Sequence, residues 1–193
     1  MKRLAVYCGS ATPADPRYID LAREVGSTLA RQGIGVVYGG GKLGLMGAIA
    51  GSAMLAGGEV IGVIPEALRA REKDHHGITE LHVVKTMHER KAMMAKLADG
   101  FVTLPGGIGT FEEMFEAWCW AQLGYHQKPV GLLNVGDFYD GLTQFIDKIV
   151  EEGFLQERHR AMLMIEREPE ALLDRMTHYM APETEHWLGE TDL

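Results

Sequence analysis

Glu112 and Glu113 directly follow a glycine-rich run in the segment FVTLPGGIGTFEEMFE, residues 101–116. A short apolar run ends at Pro105. Gly106, Gly107 and Gly109 follow, then Thr110, and apolar residues resume at helical spacing. The pattern predicts a strand, a tight turn and a helix beginning at Thr110, with both glutamates in its first turn. Such a start offers unbonded backbone N–H groups and the positive end of the helix dipole, which suits a phosphate. Glycines let the backbone approach the anion closely. Carboxylates repel a phosphate, so something else on the ligand is expected to need them. A simpler alternative stays open. Thr110–Glu113 also fits the T-x-x-E capping box, in which both residues serve only the helix end. Glu116 lies one turn on, near the face of Glu113, with Glu112 rotated about 100° away.

A second group of candidates lies in MHERKAMMAKLA, residues 87–98. Met87, Arg90, Met94 and Leu97 recur at helical spacing, which places Arg90 on an apolar stripe beside Lys91. A charge there is costly unless it is paired. Arg90 either snorkels to the rim or is held against a carboxylate or an anionic ligand.

These residues need a scaffold, and strand-like and helix-like segments alternate along the whole chain. Strands are expected at 4–8, 35–38, 60–64, 81–85, 101–104, 130–134 and, as an edge strand, 162–165. Helices are expected at 16–32, 45–56, 87–98, 110–123, 138–151 and 169–179. Residues 66–80 read as a long polar loop. The pattern implies an α/β fold: one Rossmann-like, doubly wound domain over residues 1–180, mainly parallel sheet with helices on both faces, and a tail over 181–193. Ligands in such folds sit beyond the carboxyl ends of the strands, where the unusual loops of this chain fall. The helix that follows Thr110 is apolar almost all round (Phe111, Met114, Phe115, Trp118, Trp120, Leu123), so it is either a central core helix or part of a homodimer interface, which is the expectation adopted.

Composition narrows the classes. The 193 residues are 46% hydrophobic and 24% charged, with 19 basic against 27 acidic residues and a net charge of −8. That argues against nucleic acid and anionic membranes as partners. No run approaches membrane-spanning length, no signal-peptide core is visible at the start, and a cytoplasmic location is expected. Cys8 and Cys119 form no disulfide framework, and His75–His76 has no companions for a metal site. No metal or cofactor is expected. Gly39, Gly41 and Gly44 match G-x-G-x-x-G, but on the second strand–helix unit and with only Glu59 and Glu66 as poor acidic partners, which disfavours a dinucleotide.

PGGIGTFEE (105–113) resembles the PGGxGTxxE signature of the LOG family, the cytokinin riboside 5′-monophosphate phosphoribohydrolases. MHERK (87–91) is similar to the family's M-H-x-R-K segment. YCGS, YGGGKLGLMG, VIGVIP and WAQLGYHQKPVGLLN resemble further family blocks in the same order. The resemblance runs from Val6 to about Leu173. It implies a Rossmann-like fold, usually dimeric, that hydrolyses the N-glycosidic bond of adenine-type nucleoside 5′-monophosphates to free base and ribose 5-phosphate. Family members are often labelled lysine decarboxylases, yet no motif here places a lysine for a pyridoxal phosphate Schiff base. By position, the resemblance implies Arg90 and Glu113 as the catalytic pair. It implies substrate contacts from Glu72, Lys91 and the turn Gly107, Ile108, Gly109, Thr110, Phe111 and Glu112. Cys119 stands where many plant members carry a threonine at a substrate contact. On this reading Gly106–Thr110 hold the phosphate, Ser10, Gly40 and Gly41 close its other side, and Met87 packs on the base. A non-catalytic nucleotide carrier or sensor of the same fold is the alternative.

Overall fold

The computed structural model describes residues 1–69 and 75–182. In chain order the elements are β1 (Arg3–Tyr7), α1 (Arg17–Arg31), β2 (Gly35–Tyr38), α2 (Gly44–Leu55), β3 (Val60–Pro65), a 3-10 turn (Glu66–Leu68), β4 (Glu80–Val84), α3 (Met87–Leu97), β5 (Phe101–Thr103), α4 (Ile108–Gln122), β6 (Val130–Leu133), a second 3-10 turn (Val135–Asp137), α5 (Asp140–Glu151), α6 (Glu157–Arg160), β7 (Leu163–Glu166) and α7 (Pro169–Thr177). Glu72 and most of the expected tail lie outside the described residues.

The strands form one seven-stranded sheet in the order β4-β3-β2-β1-β5-β6-β7, and every adjacent pair is parallel. Side chains alternate across it as the pleat requires. Leu4 and Val6 of β1 face a core built with α1, α2 and α7, and Cys8 just beyond the strand joins them. Ala5 and Tyr7 face the opposite core, where Met94 of α3, Met114 and Trp118 of α4 and Ile146 of α5 pack. Both faces are therefore covered, and the strands are buried runs.

Strand order reverses between β1 and β5. The chain leaves β1 towards one edge of the sheet and leaves β5 towards the other. The loops after these strands splay apart and open a crevice at the carboxyl edge.

Two local features refine the expectations. A four-residue helix, α6, occupies 157–160, where no element was expected. Within the chain α4 buries one side and exposes the other, which departs from the central-core alternative. Met114, Ala117, Trp118 and Ala121 are buried, but Phe115 and Cys119 face outwards. Trp120 is half-buried and packs on Tyr125 with ring centroids 5.9 Å apart.

Candidate active site

A cavity of about 340 Å³ lies in the crevice between the β1 and β5 loops. Its wall is formed by Cys8–Ala11 after β1, Met46 of α2, Leu68, Met87 and Arg90 of α3, and Gly107–Thr110, Glu112 and Glu113 of α4.

The turn differs from the sequence expectation in one respect that matters. Helix α4 begins at Ile108 rather than Thr110, with Gly107 as its N-cap and no side-chain cap. Thr110 and Glu113 therefore do not form a capping box, and neither glutamate lies in the first turn. The Phe111 N–H already donates to the Gly107 carbonyl at 3.1 Å. The amides of Ile108, Gly109 and Thr110 come before the first such bond, so they are the helix's free donors at the cavity. Gly109 is the second residue of α4, in its first turn. Nothing in the protein requires it: a Cβ at Gly107 or Gly109 would meet no atom within 4 Å, and neither has a positive φ. The space above these glycines is open. Gly106 differs, since a Cβ there would lie 2.1 Å from Thr110 Oγ1.

The T-x-x-E that does cap a helix is Thr86–Glu89. Thr86 Oγ1 accepts from the Glu89 N–H at 3.1 Å, and Glu89 Oε2 accepts from the Lys85 N–H at 2.7 Å. This cap starts α3 at Met87 and sets the rotation of Arg90 and Lys91 about the helix axis.

Arg90 does not snorkel. It is 5% exposed, and its Nη2 lies 3.7 Å from Glu113 Oε1, itself 9% exposed. Its Nε is buried without a hydrogen-bond partner. Backbone at the end of β2 makes room for the guanidinium. A Cβ on Gly39 would lie 2.0 Å from Arg90 Nη2 and 2.9 Å from Met46 Sδ. Burial first, and then the nearby Glu113 carboxylate, push the Cys8 thiol far above its ordinary value despite the opposing Arg90, so this cysteine is neutral and unreactive.

Lys91, one position on, serves the other acids. Its Nζ donates to Glu112 Oε1 and, at 2.8 Å, to Glu116 Oε1. Burial alone disfavours its charge, but these two carboxylates outweigh that and hold its pKa above the ordinary lysine value. Lys91 bridges two of the three glutamates and offsets one of their two charges, and the third glutamate pairs with Arg90. Glu112 and Glu116, one turn apart, share a partner, while Glu113 faces Arg90.

The structure thus gathers Ser10, Met87, Arg90, Gly107, Ile108, Gly109, Thr110, Glu112 and Glu113 around one cavity. Gly106, Phe111 and Lys91 adjoin it without lining it, and the Phe111 ring packs edge-on against Tyr139. Gly40 and Gly41 are buried and do not line the cavity; Gly40 packs towards Ile64 and Leu81, and its carbonyl accepts from the His75 N–H at 3.1 Å. Cys119 lies in a separate groove between α4 and α5. Cys8, Gly9 and Leu68 lie in loops expected at the ligand edge, though not expected as contacts; Ala11, Met46 and the slot that Gly39 leaves for Arg90 carried no sequence signal. The glycines of the G-x-G-x-x-G spacing serve packing. The Leu45 N–H at the start of α2 donates to the Gly9 carbonyl at 3.0 Å, and a Cβ on Gly44, whose φ is +57°, would strike the Ala11 carbonyl oxygen at 2.4 Å. That helix end is covered by protein, which leaves it no pyrophosphate to hold.

Among the described residues, no group of three or more His, Cys, Asp or Glu side chains could hold a metal. No helix among them is long and apolar enough to cross a membrane.

A protein-family model described as "Possible lysine decarboxylase" matches residues 46–176. No lysine lines the cavity among the described residues, and the adjacent Lys91 ammonium is held by two carboxylates, so the site does not fit a pyridoxal phosphate Schiff base. The chain is 47% identical over 184 residues to the cytokinin riboside 5′-monophosphate phosphoribohydrolase LOG of Oryza sativa subsp. japonica, covering 95% of this chain and 76% of that protein. It is 46% identical over 179 residues to a cytokinin riboside 5′-monophosphate phosphoribohydrolase of Arabidopsis thaliana, covering 93% and 84%. Among solved structures, the molybdenum cofactor carrier protein of Chlamydomonas reinhardtii superposes with a TM-score of 0.68 at 20% identity, over 92% of this chain and 98% of that one. The molybdenum cofactor binding protein of Rippkaea orientalis gives 0.66 at 20% identity, over 91% and 95%. At that identity the structural likeness speaks to the fold. The family model and the sequence relatives, which share most of their length with this chain, carry the assignment: the chain belongs to the LOG family.

Proposed function

We propose that the chain is a phosphoribohydrolase that cleaves the N-glycosidic bond of an adenine-type nucleoside 5′-monophosphate, a cytokinin riboside 5′-monophosphate or AMP, releasing the base and ribose 5-phosphate. The observation that carries this reading is the buried Arg90–Glu113 pair, 3.7 Å apart, facing the same cavity as the free amides of α4. The 5′-phosphate docks on the N–H groups of Ile108, Gly109 and Thr110. Ser10, between Gly9 and Ala11, lines the same cavity. Ribose then lies towards Glu113. Departure of the base leaves an oxocarbenium-like sugar, and the Glu113 carboxylate stabilises that charge from a fixed position. Arg90 is too basic to give up a proton. It holds Glu113 in place, and its unpaired Nε donates towards the leaving base. Met46 and Met87 supply polarizable thioethers for packing on the base. A carrier could use the same carboxylate to hold ribose hydroxyls; the sequence relatives, named as phosphoribohydrolases, support hydrolysis over the carrier reading.

We also propose that the chain forms a homodimer through α4 and α5. Phe115 is 39% exposed and Phe154 86%, and both line the groove that holds Cys119; Phe145 of α5 is 61% exposed. Analytical ultracentrifugation tests this. A monomer at micromolar concentration overturns it.

The direct test of the activity is incubation with AMP and with isopentenyladenosine monophosphate, following free base by chromatography. Release of base from either supports the reading. Tight binding of AMP with no base released would support the carrier.

A further inference from the structure

A second cavity, of about 350 Å³, lies on the other side of the phosphate turn. Gly9, Ala11 and Gly107 line both cavities, so the ridge between them is built almost entirely of backbone. The far wall is apolar and aromatic. Tyr18 of α1 and Phe138 before α5 meet edge to face with centroids 5.6 Å apart, and Pro13 and Leu45 complete it. Phe138 is 41% exposed although it borders this hollow. The charged side chain in the lining is Asp15, which Arg17 already holds through its Nε at 2.6 Å.

From this geometry we infer that the second cavity is a subsite for a neutral, planar group esterified to the ligand's 5′-phosphate, such as the nucleoside preceding adenosine in a 3′→5′ dinucleoside monophosphate. The inference rests on the proposed docking of that phosphate at the start of α4. A phosphate seated there lies at the ridge. One of its oxygens leads to the ribose in the first cavity, and another points over Gly107 towards Tyr18 and Phe138. An aromatic pair at the edge of an apolar hollow suits the face of a base. The cation at this wall, Arg17, lies 5.5 Å from the Tyr18 ring centroid and is already engaged by Asp15, which argues for a single phosphodiester over a pyrophosphate-linked ligand.

The probe is cytidylyl-(3′→5′)-adenosine, measured as an inhibitor of adenine release from AMP and compared with adenosine 5′-methylphosphate. The dinucleoside is expected to compete with AMP and to do so more strongly than the methyl ester. Phe138→Ala, which removes the wall, and Ala14→Trp, which fills the cavity from an exposed loop position, should each raise its inhibition constant by at least about 5-fold, the lower end of what base stacking on an aromatic contributes. Both should leave the KM for AMP unchanged. Thermal melting checks that both variants are folded. No inhibition, inhibition equal to that of the methyl ester, or inhibition indifferent to both variants overturns the subsite. Failure of the unsubstituted protein to release adenine from AMP would instead overturn the proposed activity, and the subsite with it.

Discussion

Replacing Glu113 with glutamine keeps the side chain's size and removes its charge. At 3.7 Å from Arg90 and an effective dielectric constant of about 20, the attraction lost is about 4–5 kcal/mol before desolvation is counted. A positive charge developing on the sugar at similar range would feel a comparable field, reduced because Arg90 already draws on it. About 3–4 kcal/mol of transition-state stabilisation is thus at stake, which is 10²- to 10³-fold in kcat. The folded state suffers less. The amide oxygen can still face Arg90, and the cavity opens to water, so the cost is at most about 3 kcal/mol, the lower end for breaking a buried pair, and the protein remains folded. The assay is adenine release at saturating substrate, with circular dichroism and urea denaturation on the same preparations. A folded Glu113→Gln protein whose kcat stays within about 10-fold of the parent would refute the assignment of Glu113 to the chemistry.

Further outcomes follow from the same geometry. Gly39→Ala puts a methyl group into the slot occupied by Arg90 Nη2 and should lower kcat by at least about 10-fold in a protein with unchanged circular dichroism. Lys91→Met leaves Glu112 and Glu116 facing each other, and denaturation should show about 1–3 kcal/mol lost at neutral pH, discounted because Glu112 is half exposed. Lys91 is held above its ordinary pKa, so its contribution is full below the unfolded lysine value and disappears as pH rises through the raised one. The variant should therefore lose less stability than the parent in alkali. His126 behaves in the opposite sense. Burial, then repulsion from Lys128, push its pKa from 6.5 down to about 4, against the opposing hydrogen bond with the Ala117 carbonyl. The unfolded chain takes up a proton near 6.5 and the folded chain does not. Stability should therefore fall by about 3 kcal/mol as pH drops from 6.5 to 4. His126→Phe should flatten that part of a melting-temperature profile.

Much of the scaffold was legible because its signals are local. Buried strands such as Gly35–Tyr38 and Val60–Pro65 are short apolar runs ended by glycine or proline, and the observed ranges lie within a residue or so of those expected. The start of α4 was misplaced because glycine is a poor helix former, so Ile108 and Gly109 read as turn. The two T-x-x-E sequences look alike on paper. Only the backbone path shows that Thr86 caps a helix while Thr110 lies inside one. The division of labour among the three glutamates was equally hidden, since it depends on the rotation of α3 against α4.

The sequence by itself determined the alternation of strands and helices, the glycine turn, and the candidacy of Arg90 and Glu113, because propensity, periodicity and the cost of a charge on an apolar stripe act over a few residues. Tertiary structure alone decided that Lys91 bridges Glu112 and Glu116, that Gly39 makes room for Arg90, and that a second cavity shares the turn before α4. Each of those joins residues from different strand–helix units, and their distances are set by how helices pack across a sheet whose strand order reverses between β1 and β5.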